Sequence, residues 1–447
     1  MRGALLTKLD SGAHRGSRHS VPSRRVAESA VVTPAALAVE LLMRIVIVAA
    51  VLLFAGCQKD NPFYGDGAVR CSESSAGCVC LKPEGICVQC TAEEKQSCTG
   101  ATPACGDDHM CRGCIKDDEC SSNVCLEDGT CADAVNVIYA SATGAGAAGC
   151  GQQLGTNECS LAQAVMEVQG ARNIIKLRPS TYGVTGLAGQ DFQKPTVLVA
   201  RGSTINRGGG GNGAILTVSG QALTLIGGTI TGAVADDGVQ CTANGALRIH
   251  EALITDNAES GIEVDACELT VSRSTISLNR GGGIFMSGVT PKPVNITNNF
   301  IHSNGLTSSP VGGLLLLPAG TSTVEFNTVV DNRAAQSSGV GGGIRCNTTG
   351  TFNFPNNLVY RNTGGIGNQV QVIGECTFLD SFQLADPTGS ENVPMFVAPN
   401  AATPDYHLTP QTPLEIRDKV DCTGVDFDGQ RRPINGKCDL GADELQR

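Results

Sequence analysis

The stretch ALITDNAESGIEVD, residues 252–265, decides the fold because it recurs. STISLNRGGGIFMS (274–287), NFIHSNGLTSSPVGGLLLL (299–317), NTVVDNRAAQSSGVGGGIRCN (327–347) and NLVYRNTGGIGNQVQV (357–372) share its grammar. A β-branched residue stands three before an asparagine. A variable stretch follows, then one or more glycines, then an apolar run. The asparagines are Asn257, Asn279, Asn304, Asn332 and Asn362, at steps of 22, 25, 28 and 30 residues. The triple glycine Gly281–Gly283 has the look of a phosphate loop. No Lys-Ser/Thr pair or helix follows it, so it reads as one corner of the repeat.

A period of 20–30 residues built from short alternating strands indicates a solenoid. Leucine-rich repeats share the period but need a leucine grid, which is absent. The reading is a mainly β, right-handed parallel β-helix of about nine coils between Ile174 and Asp386, stacked about 4.8 Å apart. Alternation aligns Leu247 and Ile249 with Leu269 and Val271, then with Val294 and Ile296, facing inward. Asparagines at one coil position can bond up the stack as an amide ladder. Left-handed backbone at that corner would suit Asn and Gly. The same alignment puts Cys241 and Cys346 at the position of Val264, and Cys267 and Cys376 just before the next coil. It predicts Cys241–Cys267 and Cys346–Cys376 as equivalent staples. Cys150–Cys159 would clasp a loop near the start, and Cys422–Cys438 would clip the tail.

The chain of 447 residues has 21 cysteines, 12 of them between Cys71 and Cys131. That break in composition marks a small module, 71–132, ahead of the β-helix at 133–392 and a tail or cap at 393–447. The module has no apolar periodicity and needs covalent staples. Cys87, Cys90, Cys111 and Cys114 also fit a C-x2-C…C-x2-C zinc spacing. Interleaved cysteines and an exported context favour disulfides. CIKDDECSSNVCLEDGTC (114–131) resembles the Dickkopf-type cysteine-rich region, which implies a binding or spacer module.

MRIVIVAAVLLFAGC, residues 43–57, has one basic residue, an apolar run of ten (Ile45–Phe54) and small residues before a cysteine. Ten apolar residues are too few to span a bilayer but suit a signal peptide. The ending resembles the lipobox of bacterial lipoproteins, with Phe54 in place of the usual aliphatic residue. That resemblance implies lipidation of Cys57, a signal at 43–56, a linker at 57–70 and, from Gln58, the outer membrane or cell surface. Residues 1–42 read as an upstream miscalled start or a disordered extension. Residues 1–56 hold seven Lys/Arg and three Asp/Glu, so the rest carries 25 basic against 40 acidic residues, net −15. This argues against nucleic acid as a partner, which requires a basic face.

The repeat grammar resembles the pectin-lyase-like β-helix superfamily. VNVIYASATG followed by CSLAQAVMEVQG is similar to its start: a strand, a loop and a capping helix with Ser160 as N-cap. The tail residues Asp426, Asp428, Gly429, Arg432, Pro433, Asp439, Gly441, Ala442 and Glu444 resemble the D-x-D-G-x-x-R-P and D-x-G-A-x-E endings of bacterial β-helix surface proteins. Relatives of this fold include polysaccharide lyases and glycoside hydrolases, whose chemistry needs convergent carboxylates. The outward files here read His250, Ser272, Thr297, Glu325 and Glu263, Phe285, Leu315, Arg345, with no stacked acids. The weak catalytic candidates are Glu263 and Asp265, alternate residues about 7 Å apart. His250 and His302 read as surface or turn residues. Asp426 and Asp428 are weak calcium candidates in what reads as a turn. No metal and no cofactor is expected. The functional expectation is a lipid-anchored, non-catalytic surface scaffold for a glycan or protein, with the polysaccharide-active enzyme as the alternative.

Overall fold

The computed structural model describes residues 79–81, 86–91, 98–185, 189–208, 211–288, 290–337, 340–348, 350–364, 371–384, 394–434 and 436–446. The signal segment, Cys57 and the linker expected at 57–70 lie outside the described residues. Residues 1–87 and 88–447 form separate compact units. The described part of the first is the short strand Val79–Leu81 and the start of its partner Ile86–Val88.

The second unit is a right-handed parallel β-helix of three stacked sheets. Sheet A has eight strands, from Val137–Ala145 to Thr323–Glu325. Sheet B has nine, from Thr181–Val184 to Phe382–Leu384. Sheet C has eight, from Gln190–Phe192 to Val372–Gly374. The chain visits A, B and C in turn, making about eight coils where the repeat count suggested nine. The register is regular: Leu247 pairs with Leu269, Leu269 with Val294, and Ile249 with Val271 and then Ile296. These residues, with Ile254, Ile262, Ile276, Ile284 and Ile301, are almost fully buried and fill the bore. One face of the stacked strands thus feeds a continuous apolar core, the main favourable term in folding.

The corner from B to C carries the asparagine ladder. Asn257 Nδ2 donates to Asn279 Oδ1 at 2.8 Å, Asn279 to Asn304 at 3.0 Å, Asn304 to Asn332 at 3.0 Å and Asn332 to Asn362 at 2.9 Å. Each Nδ2 also donates to a carbonyl of the preceding coil, as Asn304 does to Ile276 O at 2.8 Å. Gln371 ends the file by accepting from Asn362 Nδ2 at 2.8 Å, in place of a sixth asparagine. The left-handed residue that all five coils share at this corner is not the asparagine. It is the residue before: Asp256, Leu278, Ser303, Asp331 and Arg361, with φ of 52–58°. The sequence reading misplaced it, because the ladder bonds supply what offsets the strain of about 1–2 kcal/mol per residue. The glycines that lead into the sheet C strands serve close approach. A Cβ on Gly261 would stand 2.6 Å from Asn279 Nδ2, and one on Gly238 2.7 Å from Asn257 Nδ2.

A second ladder lies at the corner from A to B. Asn299 Nδ2 donates to Asn327 Oδ1, and Asn327 Nδ2 to Asn357 Oδ1, both at 3.0 Å. Ser274 extends it below: its N–H donates to Asn299 Oδ1 at 2.9 Å. Ser381 extends it above, accepting from Asn357 N at 3.0 Å.

The two ends of this unit pack on different flanks. Ser160 caps the helix Leu161–Glu167 by accepting from Gln163 N at 3.2 Å. The cysteine-rich segment lies against the outer face of sheet A, where Val124 and Ala132 meet Val137, Tyr139, Ile174 and Val199. Val124 and Ala132, which lie outside the disulfide framework, thus pack this segment on the solenoid next to the boundary expected at residue 132. The tail covers sheet B at the far end. Phe300, Val330, Leu358 and Tyr360 point outward from B into a cluster with Phe396, Tyr406, Leu408, Ile416, Leu440 and Leu445. Its two motifs interlock. Arg432 donates to the carbonyls of Asp439 and Gly441, and Glu444 N to Asp426 Oδ2. Gly441 is obligatory at the contact, since a Cβ there would stand 2.6 Å from Thr328 Oγ1.

The disulfides are Cys90–Cys105, Cys98–Cys111, Cys114–Cys125, Cys120–Cys131, Cys150–Cys159, Cys241–Cys267, Cys346–Cys376 and Cys422–Cys438. Cys90, Cys111 and Cys114 are thereby oxidised, and the zinc spacing has no thiolates at those three positions.

Candidate functional site

Sheet C sets Glu263 and Asp265 on one face of the strand Ser260–Asp265. The structure does not join them. Glu263 is half-buried and accepts from Gln240 Nε2 at 2.8 Å, one coil earlier, while Asp265 is exposed. The partner of Glu263 is Asp237, a buried residue just before the preceding strand, Val239–Thr242. Asp237 accepts from Ser260 N at 2.8 Å, and its own N–H donates to Asp236 Oδ1 at 2.8 Å. Burial, the bond with Glu263 and the charge of Asp236 push the Asp237 carboxyl up to about 9. This pair keeps a proton at neutral pH. Glu263 lies in a file with Phe285, Leu315 and Arg345, so no carboxylate stacks above it.

A larger polar groove, of 580 Å³, opens where the tail crosses the B-to-C corner of the last coils. Its floor is made by the residues on either side of the ladder asparagines. The corner turns Ser303, Asp331 and Arg361 outward before the asparagine, and Arg333 after it. Its roof is Pro399, Asn400, Pro404 and Tyr406 from the tail. Asp331 Oδ2 accepts from Arg361 Nη2 and, at 2.7 Å, from the Tyr406 hydroxyl. Arg361 Nε is buried with no hydrogen-bond partner. Arg333 is exposed and makes no ion pair among the described residues. The groove therefore offers an exposed guanidinium and a fixed guanidinium–carboxylate pair, the chemistry that recognises carboxylates and hydroxyls.

Both histidines read as surface residues are buried. His302 sits on the outer face of sheet B, but the tail covers it. Its ring lies 4.7 Å from that of Tyr406, and burial lowers its pKa to about 4. His250 Nδ1 is 2.9 Å from Ser272 Oγ, and its Nε2 is 3.5 Å from Glu251.

The two calcium candidates separate. Asp426 is fully buried and committed to the turn, accepting from Gln430 N at 2.8 Å and Glu444 N at 3.3 Å. Asp428 faces His407 instead, its Oδ2 3.1 Å from Nε2.

A family model described as right handed beta helix region matches residues 162–292 and 237–381. No curated protein matches the chain at a significant level. Among solved structures, that of pectate lyase Pel9A is similar with a TM-score of 0.40 and 14% identity, over 69% of this chain and 96% of that one.

Proposed function

We propose that the mature chain is a lipid-anchored surface protein whose β-helix is a non-catalytic scaffold, binding an acidic glycan or a surface protein through the groove beside Arg333 and Arg361. The observation that carries this reading is the groove itself. It is polar, open, and furnished with guanidinium groups and a tyrosine hydroxyl, while among the described residues no file of stacked carboxylates runs along the coils. The anchor rests on the sequence at Cys57, and the outer membrane or cell surface follows from Gln58.

A binding screen of the lipid-free chain against acidic and neutral oligosaccharides and intact cells tests the groove. Capture of acidic glycans or cells, reduced tenfold or more in Arg333→Ala, is the expected result. Equal binding by that variant removes the groove from the reading. Mass spectrometry of the N-terminal peptide tests the anchor, which requires diacylglyceryl-Cys57.

One observation favours a second reading, a polysaccharide-acting enzyme: the protonated carboxyl of Asp237 beside Glu263, which is suited to a general acid. Release of reducing or unsaturated sugars, abolished in Asp237→Asn, would establish it in place of the scaffold.

A further inference from the structure

Three segments of the tail bring one histidine and two aspartates together. His407 comes from the strand Asp405–Leu408, Asp428 from the turn between Gly424–Val425 and Arg431–Arg432, and Asp443 from the closing segment. One ligand atom from each lies within 4.8 Å of the others. Asp405 Oδ1 is 2.6 Å from His407 Nδ1, which fixes the ring and assigns the proton to that nitrogen. The other nitrogen, Nε2, is left to face Asp428 and Asp443. It is shut off from solvent and has no hydrogen bond of acceptable geometry, although Asp428 Oδ2 is 3.1 Å away. Asp443 is buried, with one oxygen held by Leu408 N at 2.6 Å. Phe300 and Phe427 pack their rings 5.0 and 5.8 Å from the imidazole.

Carboxylates outnumber the imidazole here. Asp405, Asp428 and Asp443 surround one imidazole, and Asp426 lies behind them. Two arginines lie nearby: Arg432, whose hydrogen bonds go to the Asp439 and Gly441 carbonyls and which feels the charges of Asp426 and Asp443, and Arg273, whose Nε donates to Phe427 O at 3.0 Å. Neither makes an ion pair with Asp428 or Asp443 among the described residues. A carboxylate behind a histidine whose free nitrogen meets two further carboxylates is the arrangement by which proteins orient a metal-binding imidazole. Calcium takes six to eight oxygens, whereas one nitrogen and two carboxylates suit a four-coordinate ion with an open position. We infer that His407, Asp428 and Asp443 form a binding site for a divalent transition metal of the zinc type, with Asp405 as the positioning residue behind His407.

The test uses the full chain with its disulfides intact and free thiols alkylated, stripped with chelator and dialysed against micromolar Zn²⁺. Wild type is compared with Asp428→Asn, at an exposed position that leaves the tail's buried contacts in place, and with Asp405→Asn. The site requires one more zinc bound by wild type than by Asp428→Asn, and about tenfold or greater weakening in Asp405→Asn. Co²⁺ must give visible d–d bands in wild type that are lost in Asp428→Asn. Equal zinc stoichiometry in wild type and Asp428→Asn overturns the proposal and leaves a histidine–carboxylate ion pair. Retention of Ca²⁺ that zinc fails to displace overturns the zinc assignment.

Discussion

Gly283 and Asn304 share one small volume: a Cβ on Gly283 would stand 3.1 Å from Asn304 Nδ2 and 2.5 Å from the Gly313 carbonyl. The Asn-to-Gly spacing in the repeat is thus a single packing device spread over two coils. Asn304→Ala removes two donors' bonds, to Ile276 O and Asn332 Oδ1, and two acceptances, from the Asn279 backbone and side chain. Each orphaned buried group costs about 1–3 kcal/mol. We expect Asn304→Ala to lose about 3 kcal/mol in urea unfolding, and Gly283→Ala about 1–3 kcal/mol by overpacking. A loss below 1 kcal/mol for Asn304→Ala would show that the ladder does not hold the corner.

The first ladder was legible because one residue type recurs at one spacing. The second was not, although its asparagines open three of the phrases that define the repeat. Its positions run Ala252, Ser274, Asn299, Asn327, Asn357 and Ser381, so the identity changes while the role persists. A serine oxygen does for Ala252 N what Asn299 Oδ1 does for Ser274 N. The groove was illegible for a different reason. Asp331, Arg333 and Arg361 flank ladder asparagines and read as solvated corners until Tyr406 arrives from 75 residues away. The burial of His302 is the same effect: alternation gives the outward face correctly, and only the docked tail covers it.

The staples follow from coil register. Cys241 pairs in register with Val264, and Leu316 with Cys346, so the two half-cystines occupy equivalent strand positions. Gly245 leaves room for the first bridge, as a Cβ there would lie 3.1 Å from Cys241 Sγ and 3.3 Å from Cys267 Sγ. Replacing Cys241 and Cys267 by serine should cost about 3 kcal/mol through loop closure. A non-reducing peptide map should join Cys241 to Cys267. A Cys241–Cys346 peptide would overturn the register.

Asp237 gives the fold a pH dependence of definite sign. Its carboxyl titrates at about 9 when folded, through burial, Glu263 and Asp236, against an ordinary value of 3.8. The folded state holds a proton that the unfolded state releases. This contribution is full below about pH 4 and is lost as pH rises toward about 9. Asp237→Asn keeps the oxygen that accepts from Ser260 N and carries no proton to lose. Unfolding free energies at pH 5, 7 and 9 should fall less steeply in that variant than in wild type. Parallel profiles would show that Asp237 is ionised in the native state.

Asp117 bonds the cysteine-rich segment to the solenoid through charge. Its carboxylate takes Lys176 on one oxygen and Arg201 Nη1, at 2.9 Å, on the other. Arg201 also reaches the Cys125 carbonyl at 2.8 Å and Glu251 at 3.2 Å, and Glu251 bonds Arg273 at 2.9 Å. The Lys176 ammonium is buried, so removing its partner leaves it poorly solvated. Asp117→Ala leaves that charge uncompensated, which costs about 3–5 kcal/mol for a buried pair. The loss should appear as earlier cleavage between residues 126 and 136 in limited proteolysis, with the disulfides retained. Lys176→Met in the Asp117→Ala background removes the stranded charge, and should restore most of the stability without restoring the ion pair. If the double variant is no more stable than Asp117→Ala alone, the penalty lies in lost hydrogen bonds to Arg201 and the Cys125 N–H, which Asp117 Oδ1 accepts at 3.0 Å, and not in the buried ammonium.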